Sequence, residues 1–122
     1  MAIARLLGVA ASLEAATGLA LMIHPPLVVR LLLGADLSGP GVALGRVAGF
    51  GLLSLGVACW PGPAAADGKS PVLRAMFIYN LLVTTYLVYL GVDGRWVGRL
   101  LWPAVVIHAV VTLLFVRAWA KD

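Results

Sequence analysis

Four side chains in this sequence combine strong polarity with an apolar setting: Glu14, Arg46, Asn80 and His108. Each stands alone within a long run of apolar residues, and Glu14 is the only glutamate in the chain. A carboxylate, a guanidinium, an amide and an imidazole brought together have the groups to hold an ion pair, bind a polar ligand group or relay a proton. In hydrocarbon, charged residues cost about 2.5–3.5 kcal/mol each on the insertion scale, so they face a protein interior, pair with one another and mark functional sites. The specific expectation is a Glu14–Arg46 ion pair between neighbouring helices, completed by hydrogen bonds from Asn80 and His108, with Thr84 and Thr85 in reach. The same four groups would serve equally as a clamp that fixes helix register. Both readings stand at this level.

No other chemistry is legible. The chain has no CxxC, HExxH, Walker loop or nucleophile elbow. Gly49-Phe50-Gly51 lacks the spacing and the preceding strand of a dinucleotide fingerprint. Cys59 is the single cysteine, so no intrachain disulfide can form. It stands at a helix end, where palmitoylation occurs; a small buried residue is the plainer reading. His24 falls at the opposite end of the first span from Arg5, too far in depth to share a metal or haem with His108. No catalytic residue, metal or cofactor is expected, and the chain does not read as an enzyme.

Those side chains must be carried by membrane-spanning helices. Hydrophobic residues make up 62% and charged residues 11% of the 122 positions; soluble domains average about 45–50% and about 25%. So little charge cannot cover a water-facing surface. The formal charge of +4 suggests nucleic acid at first, but the nine basic residues are scattered singly and form no basic face. Nucleic acid is excluded as a partner.

A span needs about 20 mostly apolar residues, and four segments qualify: 3–23, 41–60, 71–91 and 96–118. The first has a weak signal-peptide look after Arg5, but Glu14 interrupts it, and it reads as a span. Each segment is bounded by helix-breaking punctuation: His24-Pro25-Pro26, Pro61-Gly62-Pro63, Pro71 and Val92-Asp93-Gly94. Pro103, five residues before His108, either kinks the fourth helix or sits harmlessly in its first turns. Short connections predict an all-α, up-down-up-down bundle whose consecutive spans are antiparallel neighbours. Residues 27–33 (LVVRLLL) are too few to span and read as a short interfacial helix with Arg30 turned to headgroups.

Arg5, Lys69, Arg74, Arg117 and Lys121 fall on one side of the membrane, and Arg30, Arg95 and Arg99 on the other. That excess predicts both termini in the cytoplasm, with Trp60 and Trp119 at the inner interface and Trp96 at the outer one. Small residues repeat every fourth position, at Ala4, Gly8, Ser12, Ala16 and Ala20 in the first span and at Gly41, Gly45 and Gly49 in the second. Lipid tails are as apolar as leucine, so helices associate where small residues permit close approach. The stripes are read as contact faces, within one bundle or between copies of the chain.

The four spans, the segment Pro25–Gly34 and the second helix led by Gly45-Arg46-Val47-Ala48-Gly49 resemble small bacterial membrane proteins of the DoxX-like class. The resemblance implies four helices, a bacterial inner membrane and a place beside membrane redox enzymes, and no catalytic residue. Glu14 is similar to the helix-one glutamate of the small multidrug resistance transporters. Residues 73–91 lack their glycine- and tryptophan-containing signature, and an arginine paired with the glutamate would oppose proton exchange. The expected role is therefore an accessory or assembly subunit of a larger membrane complex, with a lipid bilayer and a membrane protein or a second copy as partners. The alternative is a small transporter or ligand-binding bundle built on the polar cluster.

Overall fold

The computed structural model describes residues 3–62 and 70–121. Five helices follow in order: α1 (Ile3–Ile23), α2 (Pro25–Leu33), α3 (Pro40–Ala58), α4 (Pro71–Asp93) and α5 (Leu101–Ala120). All but α2 are long and apolar enough to cross a membrane, and the chain is a multi-pass membrane protein. Prolines open α2, α3 and α4, where a missing N–H costs nothing. Gly34 and Gly94 close α2 and α4 in the left-handed conformation, at φ 66° and 79°, which glycine adopts without a Cβ penalty. Most of the expected loop between the second and third spans, with Lys69, lies outside the described residues.

The tightest pairing is α1 against α3. A Cβ on Gly18 would come within 2.6 Å of the Leu53 nitrogen and 2.7 Å of the Gly49 oxygen, and one on Gly56 within 2.7 Å of the Ala11 oxygen. Backbone therefore packs on backbone, and the pair runs antiparallel with Gly18 opposite Gly49 and Ala11 opposite Gly56. Within one chain, the first span makes this contact through a face beside the Gly8 and Ser12 stripe. Ala11, Ala15 and Gly18 make the contact, whereas Ser12 is exposed and bonds back to the Gly8 carbonyl at 2.7 Å. Gly8 is only in ordinary contact with Pro61, Gly45 lies under Pro25, and Gly41 under Leu37. A four-residue repeat of small side chains specifies close approach but not which neighbour approaches. Turning Ala11 and Gly18 to α3 leaves Leu7, Ala10 and Glu14 free to be buried from the other side.

That other side is the α4–α5 pair. α3 packs on α1 and α2, so α1 stands between α3 and the α4–α5 pair, and the second and third spans are not the direct neighbours that short connections predict. The end of the bundle bearing the chain termini is packed solid around Leu6, Leu7, Leu73, Met76, Val111 and Phe115. Trp119 adds to it edge-on against Phe77, with centroids 4.8 Å apart. Toward the opposite end a smaller cluster of Leu87, Leu90, Leu101 and Val105 joins α4 to α5, with Leu32 and Leu33 of α2 resting on it.

α2 lies across that end, touching α1, α3 and α5. Its start is capped by the His24 ring, whose Nδ1 accepts from the Leu27 N–H at 3.1 Å. Its end is tied down from outside: the Gly98 and Leu100 N–H groups donate to the Leu32 and Leu31 carbonyls at 3.0 and 2.8 Å. Arg30 is exposed and pairs with Asp36 at 2.7 Å. This docking also explains why α5 starts at Leu101 and not near Trp96. The Gly98 and Leu100 N–H groups go to orphan carbonyls of α2, so Leu100 cannot bond back to Trp96 as a helix begun there would need. Pro103 consequently falls in the first turn of α5, where proline is tolerated.

Candidate functional site

Where the solid half of the core ends, α1, α4 and α5 each contribute a polar group to one layer. Glu14 comes from α1, Tyr79 and Asn80 from α4, and His108 from α5. Glu14 and Asn80 are 3% and 1% exposed, and the His108 side chain 17%. All lie within about four residues of the middle of their helices, or roughly 6 Å at the helical rise.

The hydrogen bonds give each member an orientation. The Asn80 amide donates from Nδ2 to the Met76 carbonyl at 2.9 Å, which turns its Oδ1 toward α5. There it meets His108 Nδ1 at 2.8 Å. An amide oxygen only accepts, so Nδ1 carries the proton and donates. Glu14 Oε1 lies 3.9 Å from the same nitrogen, outside hydrogen-bond range, and the Tyr79 side chain is hydrogen-bonded to the Glu14 carboxyl instead. The Tyr79 and His108 rings meet edge-on with centroids 6.2 Å apart. Thr84 and Thr112 donate to the Asn80 and His108 carbonyls, each at 2.7 Å. Thr84 thus supports the backbone beneath the layer and does not enter it. Thr85 is exposed and bonds back to Leu81.

Three of the four expected residues are therefore together, and Arg46 is not among them. It is exposed on α3. The α1–α3 register explains this: with Gly18 opposite Gly49 and Ala11 opposite Gly56, Glu14 lies level with residues near Leu53. Arg46, seven residues earlier, is about 10 Å away along the axis at ~1.5 Å per residue. The glycine contact therefore sets Glu14 and Arg46 at different depths. Without a guanidinium beside it, Glu14 also loses the neighbour that was expected to oppose proton exchange.

Above the polar layer the bundle opens into a cleft of about 680 Å³, within the roughly 300–1,000 Å³ range of small-molecule sites. Glu14, Tyr79 and His108 form its polar end. Its walls are otherwise almost entirely apolar, with Ala20, Val83, Leu87 and Ala104 along the sides and Leu31 and Val28 of α2 as the roof.

Comparison with family models, curated proteins and solved structures yields no match.

The cleft and its polar end thus define the candidate site. Tyr79 is the member that the sequence did not single out. Its signal was present: Tyr79, Val83, Tyr86, Leu87 and Leu90 all line the cleft, at a spacing that is one helix face. Among the described residues no three His, Cys, Asp or Glu side chains gather as a metal-binding group. The layer offers hydrogen bonds at the end of a long apolar chamber, closed toward the chain termini by Phe115, Met76 and Leu7.

Proposed function

We propose that this chain is a ligand-binding membrane bundle whose cleft takes a lipophilic small molecule with one small polar group. One observation carries the reading: the space beside Glu14 is a cleft, where a structural clamp would have closed the interior with side chains. Buried polar groups cost free energy unless satisfied, and a polar end open to an apolar chamber is what an amphipathic ligand completes. The packed half around Phe115 gives a ligand no way through to the end bearing the termini, which favours binding over transport. In this reading the chain sits in a bacterial inner membrane with both termini cytoplasmic. The supports are its DoxX-like resemblance and the basic residues Arg5, Arg74, Arg117 and Lys121 at one end.

A second reading, an accessory subunit of a larger membrane complex, is favoured by Arg46. A cation on an exposed face of a spanning helix is costly unless it snorkels or is covered, and an acidic group on a neighbouring protein would cover it.

One purification separates the two. Chain taken from its own membrane in mild detergent carries a stoichiometric lipophile by mass spectrometry, and Ala20→Phe, which fills the cleft, loses it while still accumulating. Recovery with no lipophile but with larger proteins that Arg46→Leu releases would replace the first reading by the second.

A further inference from the structure

The polar end of the cleft presents an acceptor at one fixed atom. Asn80 Nδ2 is committed to the Met76 carbonyl and Asn80 Oδ1 to His108 Nδ1, so the proton of an uncharged imidazole is fixed on Nδ1 and the lone pair on Nε2. Among the described residues every fully buried side-chain nitrogen and oxygen has a partner. His108 Nε2 has no protein partner, so it is an accessible atom of a residue that lines the cleft. The Glu14 carboxyl beside it takes the Tyr79 hydrogen bond, and a carboxyl held in an apolar interior with no cation beside it is uncharged and keeps one O–H. Thr17 also lines the cleft, but its hydroxyl proton goes to the Leu13 carbonyl at 2.8 Å. Tyr86 is exposed and lies seven residues beyond Tyr79, about 10 Å away along α4 at the helical rise. The polar end therefore presents a fixed lone pair at His108 Nε2 beside the one O–H of the Glu14 carboxyl.

Depth narrows the ligand further. The polar end is at mid-helix and the apolar end runs toward α2 at the helix ends. A phospholipid is built the opposite way, with a charged head at the surface and tails at the centre. Moving such a head to the middle of the bilayer carries the cost that keeps charges out of hydrocarbon.

We propose that the cleft selects an uncharged lipophilic alcohol or phenol, which donates its hydroxyl proton to His108 Nε2, accepts from the Glu14 O–H and lays its apolar body along α4 toward α2. A ketone, quinone or methyl ether of the same shape can accept from Glu14 but has no proton to give His108 Nε2. This rests on the cleft being a ligand site.

The test uses three probes with one skeleton, 4-dodecylphenol, its methyl ether and dodecyl-1,4-benzoquinone, each titrated into the full chain in bilayer nanodiscs. The phenol binds at least tenfold tighter than either analogue. In His108→Phe the phenol's advantage over the ether shrinks while the ether's own Kd holds. Equal binding of the three, or tighter binding of the quinone, overturns the donor assignment and leaves the cleft as a ligand site. Failure of all three to bind above the level of the Ala20→Phe variant removes the ligand site and this proposal with it.

Discussion

Gly49→Leu separates α1 from α3. The position has no room for even a methyl group, since a Cβ there would lie 2.7 Å from the Gly18 oxygen and 2.9 Å from the Met22 nitrogen. Both are backbone atoms of a regular helix and cannot rotate aside, so the helices must move apart. Overpacking typically costs about 1–3 kcal/mol, and a clash against backbone falls at the upper end of that range. Association of spanning helices depends on close packing, so the loss is not recovered by another contact. Unfolding of the purified chain by SDS titration, followed by circular dichroism, should show a loss of about 3 kcal/mol or a variant that does not accumulate. Gly51→Leu is the control, because a Cβ there meets nothing within 4 Å, and it should unfold with the wild type. Equal stability of Gly49→Leu and Gly51→Leu would mean that the α1–α3 contact is looser than described.

Asn80→Leu acts on the site in two ways at once. It removes the acceptor that holds His108 Nδ1–H at 2.8 Å, leaving a donor in a layer where each fully buried polar atom is otherwise matched. Leaving a buried group unsatisfied costs about 1–3 kcal/mol. It also frees the imidazole to turn Nδ1–H toward Glu14, 3.9 Å away, and so moves Nε2 out of the position in which a ligand finds it. The expected result is at least a tenfold loss of 4-dodecylphenol affinity together with lowered stability. Asn80→Asp keeps an acceptor at Oδ1 and should retain more of the affinity than the leucine variant. A leucine variant that binds the phenol as tightly as wild type would show that the layer is a register clamp with no part in binding.

The helices were legible because bilayer thickness demands long apolar runs and because proline and glycine punctuate the connections between them. Three of the four strongly polar residues, Glu14, Asn80 and His108, were legible as a layer for a related reason: burying them in hydrocarbon is costly unless they meet. Arg46 failed the same reasoning because long cationic side chains escape it. An arginine some way from mid-helix can reach a headgroup or a partner, so exposure costs it less than it would cost a glutamate. Its depth relative to Glu14 follows from the α1–α3 register, which Gly18, Gly49 and Gly56 set by close approach to the facing backbone and no single helix records.

α5 starts later than its apolar run suggests because the carbonyls of Leu32 and Leu31, 66 and 69 residues away in the chain, take the N–H groups of Gly98 and Leu100. The cleft could not be seen in advance. It exists because α3 packs on the far side of α1 and leaves the space between α1 and the α4–α5 pair to be roofed by the nine residues of α2. Periodicity marks which face of a helix is apolar, but not whether a neighbour fills the space in front of it. Tyr79 sits between these cases: it shares a face with Val83 and Leu87, and only the presence of Glu14 opposite gives its hydroxyl a role.

All of this turns on whether the space above Glu14, Asn80 and His108 is occupied by a ligand when the chain is in lipid. A high-resolution structure of the chain purified from its native membrane into nanodiscs decides it. The expected map has one elongated density between α1 and the α4–α5 pair, its polar end within hydrogen-bond distance of His108 Nε2 and its body running beneath α2. A map in which α1 closes onto α4 and the side chains of Val83, Leu87 and Ala104 fill the space would contradict it.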